Sequence, residues 1–206
     1  MVRFVLLVIS GGVLGLASCA KDEDAGAPPV LDVPYDVALE TSIWVDNVFV
    51  ATNYSNPAGT PSGVHLGIHY SPTPAYNADM PYYAMADGKI AKVESLISAG
   101  TYNVNVQQSM TGGVIVVYQF ETQSANAADG TAQLAKIAVS QGQDVARGAL
   151  IGTLHDAGAL DPIMHIGVIR GPDLVCPTTL MSADAVARTA ALLLRDNPTW
   201  LACYEN

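Results

Sequence analysis

Basic residues are scarce in this chain: 9 Lys and Arg stand against 19 Asp and Glu, a formal net charge of −10. That balance argues against nucleic acid or an anionic membrane surface as an electrostatic partner, since binding to either rests on cationic contacts. Long apolar runs are missing too. The N-terminal one, Phe4–Leu16, falls short of the ~20 residues that a membrane-spanning helix needs. No internal repeat, phosphate-binding glycine loop or coiled-coil heptad series is present. Cysteine is limited to 3 residues and histidine to 4. Charged residues make up only 14% of the chain and apolar ones 50%, which excludes disorder for the bulk of it. Beyond the N-terminal segments, about 170 residues suit one domain with a sizeable core.

The N-terminus reads as an export signal. Arg3 supplies a short positive region, and the apolar run closes on Leu16-Ala17-Ser18-Cys19. That tetrapeptide resembles a bacterial lipobox. The resemblance implies a signal peptide over 1–18, cleavage before Cys19 and a lipid on Cys19 as the membrane anchor. The alternatives are an ordinary secretory signal or an anchor helix. Ala20 after the cysteine, in place of Asp, favours the outer membrane of a Gram-negative host, with the domain facing the periplasm. Residues 19–36, charged, small and proline-rich, are expected to be a flexible tether. The domain is then 37–206, with a helical appendage over about 176–206. Cys176 and Cys203 remain as an even pair in an exported chain and suggest a disulfide, the alternative being two buried thiols. Closing that loop of about 28 residues would contribute on the order of 3 kcal/mol.

The body alternates short strands with glycine turns. Strand patterns cover Ile43–Ala51, Val104–Gln107, Leu150–Leu154 and Ile163–Ile169, while Val114–Tyr118 reads as a continuous buried run. Asp87-Gly88, Gly112-Gly113, Asp129-Gly130, Gln141-Gly142 and Arg147-Gly148 punctuate them. Together they predict a mainly β fold, an antiparallel sandwich or barrel-like sheet. One C-terminal helix is expected, capped by Ser182, with Asp184 in its first turn and Val186, Ala190, Leu193 and Leu194 as its docking stripe; Asn197-Pro198 stops it.

The histidines hold the most chemical information. His65 and His69 sit in Gly-Val-His-Leu-Gly-Ile-His-Tyr, and His165 in Ile-Met-His-Ile-Gly-Val. On strands, residues separated by even numbers share a face, so His65, Gly67 and His69 line one face, as do Ile163, His165 and Gly167. Two adjacent strands presenting imidazoles around a glycine can gather three nitrogens on one zinc ion. The competing reading is three unrelated histidines, since His-x-x-x-His is common by chance.

Ordered motifs add to this. His65-Leu66-Gly67-Ile68-His69, Met80 to Ile90 with Tyr82-Tyr83-Ala84-Met85-Ala86-Asp87-Gly88, Gly142-Gln143-Asp144-Val145 through Gly152, and Ile163-Met164-His165 occur in series. The series resembles the lysostaphin/LytM-type zinc endopeptidases, which cut peptide cross-links in bacterial cell walls. The resemblance runs from about Gly63 to Val168 and implies a LytM-type sheet, zinc as cofactor, and His65, His69 and His165 at the three metal positions. His69 stands where the family has an aspartate. Ile163 and Phe120 stand where the family supplies two further site histidines, so a divergent member is implied. Tyr118 aligns with a family tyrosine and is open to two roles, hydroxyl donor at the groove or core packing. His155 can be a loop residue, a fourth ligand or a substitute acid or base, with Asp156 and Asp161 nearby. No Glu lies within His65–Tyr70 or Ile163–Ile169 to serve as a base. Two functions compete: a degenerate or weakly active envelope module binding peptidoglycan peptide or a cell-wall hydrolase, and an active metalloendopeptidase with an unusual three-histidine site.

Overall fold

The computed structural model describes residues 26–46, 49–50, 67–76, 78–98, 100–158, 162–196 and 203–204. Strands β1 (Ile43–Asp46), β2 (Phe49–Val50), β3 (Ile68–Pro72), β4 (Met80–Tyr83), β5 (Gly88–Ser98), β6 (Thr101–Ser109) and β7 (Val114–Glu121) precede helix α1 (Ala127–Ala135). Strands β8 (Asp144–Val145), β9 (Leu150–Leu154), β10 (Ile163–Arg170) and β11 (Asp173–Val175) follow, then helix α2 (Ala183–Asp196) and β12 (Cys203–Tyr204). The main sheet runs β1-β3-β10-β7-β6-β5-β8, with β11 added to β10. Every pairing in it is antiparallel, and the sheet curls into a half-barrel. β4 and β9 pair separately. The expected mainly β, antiparallel architecture is the one observed.

Alternation decides which side of the sheet is core. Val114, Val116, Tyr118 and Phe120 of β7 are fully buried, as are Met164, Ile166 and Val168 of β10 and Ile68 and Tyr70 of β3. The residues between them on β7 are only half-buried. The expectation of a continuous buried run at Val114–Tyr118 is therefore corrected: four β-branched residues in a row supply an alternating strand whose second face carries the candidate site.

Three further differences have local causes. The chain packs well before residue 37, because Leu31, Val33 and Tyr35 form a period-two apolar pattern inside the proline-rich segment and are buried in the core. Leu31 donates to the Leu180 carbonyl (2.7 Å), and Ser182 donates back to Leu31 (2.8 Å). The tether expected over 19–36 is thus shorter at its C-terminal end; residues 1–25, including Cys19, lie outside the described residues. Next, Asp129-Gly130 is not a turn but part of α1, so α2 is not the only helix. Asn126 caps it by accepting from Ala128 N. A Cβ on Gly130 would lie 2.7 Å from Tyr102 Cβ; glycine is the residue that lets the helix press onto β6. Finally, the buried stripe of α2 is Ala185, Thr189, Leu192 and Leu193, while Leu194 is 52% exposed. The stripe is rotated because Thr189, polar in sequence, is satisfied in the core by the Tyr70 hydroxyl at 2.8 Å. Ser182 does cap α2, its Oγ accepting from Ala185 N. Cys176 is buried, its Sγ 2.9 Å from Thr178 Oγ1. The side chain of Cys203, its expected partner, is outside the described residues.

Candidate metal centre

The site is assembled by register. His69 of β3 and His165 of β10 are directly paired across the two strands. On the other flank of β10, Gln119 of β7 pairs with His165 and Glu121 with Ile163. Odd-numbered residues of β7 and β10 share a face, so Glu121, Ile163 and His165 lie together on the side opposite the core. His69 is 6% exposed, and His165 and Glu121 are half-buried.

The donor atoms converge. His69 Nε2 and His165 Nδ1 lie 3.3 Å apart, with ring centroids at 5.1 Å. Two nitrogens each about 2.0–2.1 Å from one zinc ion are separated by about 3.3 Å at a tetrahedral angle. The Glu121 carboxylate brings Oε1 to 3.7 Å from His165 Nδ1. One ligand atom from each of His69, Glu121 and His165 lies within 4.8 Å of the others. Two imidazoles and a carboxylate are a donor set suited to zinc.

Gly67 fixes which nitrogen of His165 faces this point. A Cβ at Gly67 would lie 2.2 Å from His165 Nε2 and 2.5 Å from the Ile166 carbonyl. The edge of the ring carrying Nε2 thus rests against β3, and Nδ1 is turned toward His69 and Glu121. Burial pushes the Glu121 carboxyl up to about 7, opposed by a hydrogen bond from Gln123. That bond runs from Gln123 Nε2 to Glu121 Oε2 at 2.9 Å.

His65 lies outside the described residues, so only two of the three expected histidine ligands are brought together here. Glu121 lies outside the two histidine segments, in which the sequence offers no Glu as a base. The parity of Val117, Gln119 and Glu121 at the end of a strand was the available signal. Phe120, aligned with a family histidine, is fully buried and packs edge-on against Tyr82 on the core side (6.2 Å between centroids). The residue that β7 presents to the site is Glu121. Tyr118 is also in the core: its hydroxyl donates to Gln108 Oε1 and accepts from Met85 N, both at 2.9 Å. Of its two open roles, packing is the one this position fits.

His155 belongs to another cluster. Its Nδ1 lies 3.6 Å from Asp79 Oδ1 and its Nε2 3.7 Å from Asp129 Oδ1. Asp79 also pairs with Lys136 and accepts from Asp156 N, and Asp129 Oδ2 accepts from Ser124 Oγ at 2.5 Å. Burial raises the Asp79 carboxyl pKa, but hydrogen bonds from Lys136 and Asp156 N, with the Lys136 and His155 charges, bring it below its ordinary value. Asp161 lies outside the described residues.

Among solved structures, the chain is similar to a Pseudomonas aeruginosa protein described as a candidate M23 peptidase, at 24% identity and a TM-score of 0.46 over 78% of this chain and 54% of that one. It is also similar to lysostaphin, at 16% identity and a TM-score of 0.47 over 77% and 54% of the two chains. The chain thus spans about half the length of each. No protein-family model and no curated protein matches it.

Proposed function

We propose that the chain is a cell-envelope lipoprotein whose LytM-like domain holds zinc, engages cell-wall peptide or a partner hydrolase, and cleaves peptide bonds weakly or not at all. The observation that carries this reading is the clustering of His69, His165 and Glu121, whose ligand atoms lie within 4.8 Å of one another. Zinc would be held by these three residues, with His65 as a fourth donor. When bound, zinc supplies a Lewis acid that polarises water or a carbonyl.

Four protein donors make a closed site, the arrangement of structural zinc centres, whereas three leave a position for water or substrate. The surroundings also favour low activity. Peptide hydrolysis needs a base for the attacking water and a donor for the developing oxyanion. Ile163 presents an apolar side chain beside Glu121, and Phe120 is turned into the core. Loss of an oxyanion donor typically costs about two to three orders of magnitude in rate.

The test is digestion of purified peptidoglycan by the zinc-loaded protein, with His165→Ala as control. Release of cross-link fragments at the level of the control is expected. Robust, zinc-dependent release overturns the low-activity reading and makes Glu121 the first candidate base. The lipid on Cys19 is read by intact mass of the native protein; an unmodified residue 19 contradicts the anchor. The pairing of the buried Cys176 with Cys203 is read by non-reducing peptide mapping; recovery of Cys203 as an alkylatable thiol contradicts it.

A further inference from the structure

We propose that Gln123 is a positioning residue for the metal centre: it holds Oε2 of Glu121, so that the carboxylate offers the single oxygen Oε1 to the ion. The proposal rests on reading His69, His165 and Glu121 as that centre. Three observations carry it. Gln123 is the one non-glycine residue with positive φ, +55°, among the described residues. Such a backbone is uncommon outside glycine, asparagine and aspartate, and it persists where the surrounding structure enforces it. The enforcement is visible at Thr122, fully buried, whose Oγ1 donates to the Tyr102 carbonyl (2.7 Å) and accepts from Ser124 N (3.2 Å).

With β7 fastened at Thr122, the left-handed turn brings the Gln123 amide back over Glu121. Its Nε2 reaches Oε2 at 2.9 Å, while Oε1 is the oxygen recorded beside His165 Nδ1 at 3.7 Å. The two carboxylate oxygens are thus assigned different partners. A ligating carboxylate tied in this way by an outer donor has a fixed orientation, and loss of such donors typically weakens metal affinity 10–100-fold. The competing role is simple turn stabilisation, which would affect folding and leave metal affinity unchanged.

The experiment measures zinc affinity by chelator competition on the full chain in detergent, with thermal unfolding of each zinc-free protein alongside. Gln123→Leu removes the donor but places a branched side chain at positive φ, so it can be lost to misfolding. Gln123→Gly removes the donor and relieves the backbone. We expect Gln123→Gly to unfold no lower than the parent without zinc, yet to bind zinc about 10–100-fold more weakly. Wild-type affinity in Gln123→Gly, with zinc weakened in Glu121→Gln, overturns the positioning role and leaves the metal centre standing. Wild-type affinity in Glu121→Gln shows that Glu121 is no ligand and overturns the proposal at its base. A parent chain that takes up no zinc overturns the proposal together with the reading it rests on.

Discussion

At the sheet's outer face, His69 Nε2, His165 Nδ1 and Glu121 approach one another within 4.8 Å. Beyond β9, His155 lies between Asp79 and Asp129, with one ring nitrogen toward each. Both clusters combine imidazole with carboxylate, and they differ in direction. In the first, nitrogens from two rings converge. In the second, one ring spends its two nitrogens on opposite sides, and Lys136 already pairs with one of the carboxylates. A single ring cannot bring both its nitrogens to one ion. The second cluster is a strut held by the Lys136–Asp79 pair and by the hydrogen bonds of Asp156 N to Asp79 and His155 N to Gln133, with the His155 ring beyond hydrogen-bond reach of both carboxylates. Composition proposes metal sites; the direction of the donor atoms decides between them.

The largest effect that would sharpen this contrast is on zinc itself. His165→Ala should lower zinc affinity by more than about 100-fold, beyond what loss of an outer-shell partner causes. His155→Ala should leave it unchanged. Chelator competition on the two variants checks this, and equal losses would erase the distinction.

Gly67→Ala comes next. The added methyl meets the His165 ring and the Ile166 carbonyl. Overpacking of this kind costs about 1–3 kcal/mol and should also displace His165 from the centre. Thermal unfolding with and without zinc should show a lower midpoint and a smaller zinc-induced rise.

Tyr118→Phe tests the assignment of that hydroxyl to the core. It strands Gln108 Oε1 and Met85 N, and unpaired buried polar groups cost about 1–3 kcal/mol. Denaturant unfolding should register this loss while zinc affinity stays at the parent value. A changed affinity with unchanged stability would return Tyr118 to the site.

The smallest effect concerns pH and the second cluster. The Asp79 carboxyl pKa is lowered in the folded protein. Its contribution is therefore present above the unfolded carboxyl value, about 3.9, and is lost as pH falls through the lower folded value. Stability of the parent should decline more steeply over that acid range than stability of Asp79→Asn. Parallel curves would remove Asp79 from the strut.

Much of this was legible in residue patterns. The antiparallel strands followed from period-two apolar spacing, and the shared face of Gly67 and His69, like that of Ile163, His165 and Gly167, followed from strand parity. What stayed hidden depends on neighbours brought together across the sheet. Glu121 lies 44 positions from His165 and enters the centre only through the β7–β10 register. The helical state of Gly130 depends on the approach of Tyr102, and the α2 face depends on Tyr70 satisfying Thr189. Leu31, Val33 and Tyr35 were obscured by the prolines around them, although their alternation was present in the chain.

The central claim is convergence of His69, His165 and Glu121 on one zinc ion. The most direct measurement is zinc X-ray absorption on the full chain loaded with one equivalent, compared with Glu121→Gln and His165→Ala. The account predicts nitrogen and oxygen ligation with imidazole scattering in the parent, one oxygen fewer in Glu121→Gln, and loss of stoichiometric zinc in His165→Ala. A parent that retains no zinc, or a spectrum unchanged by both substitutions, would contradict it.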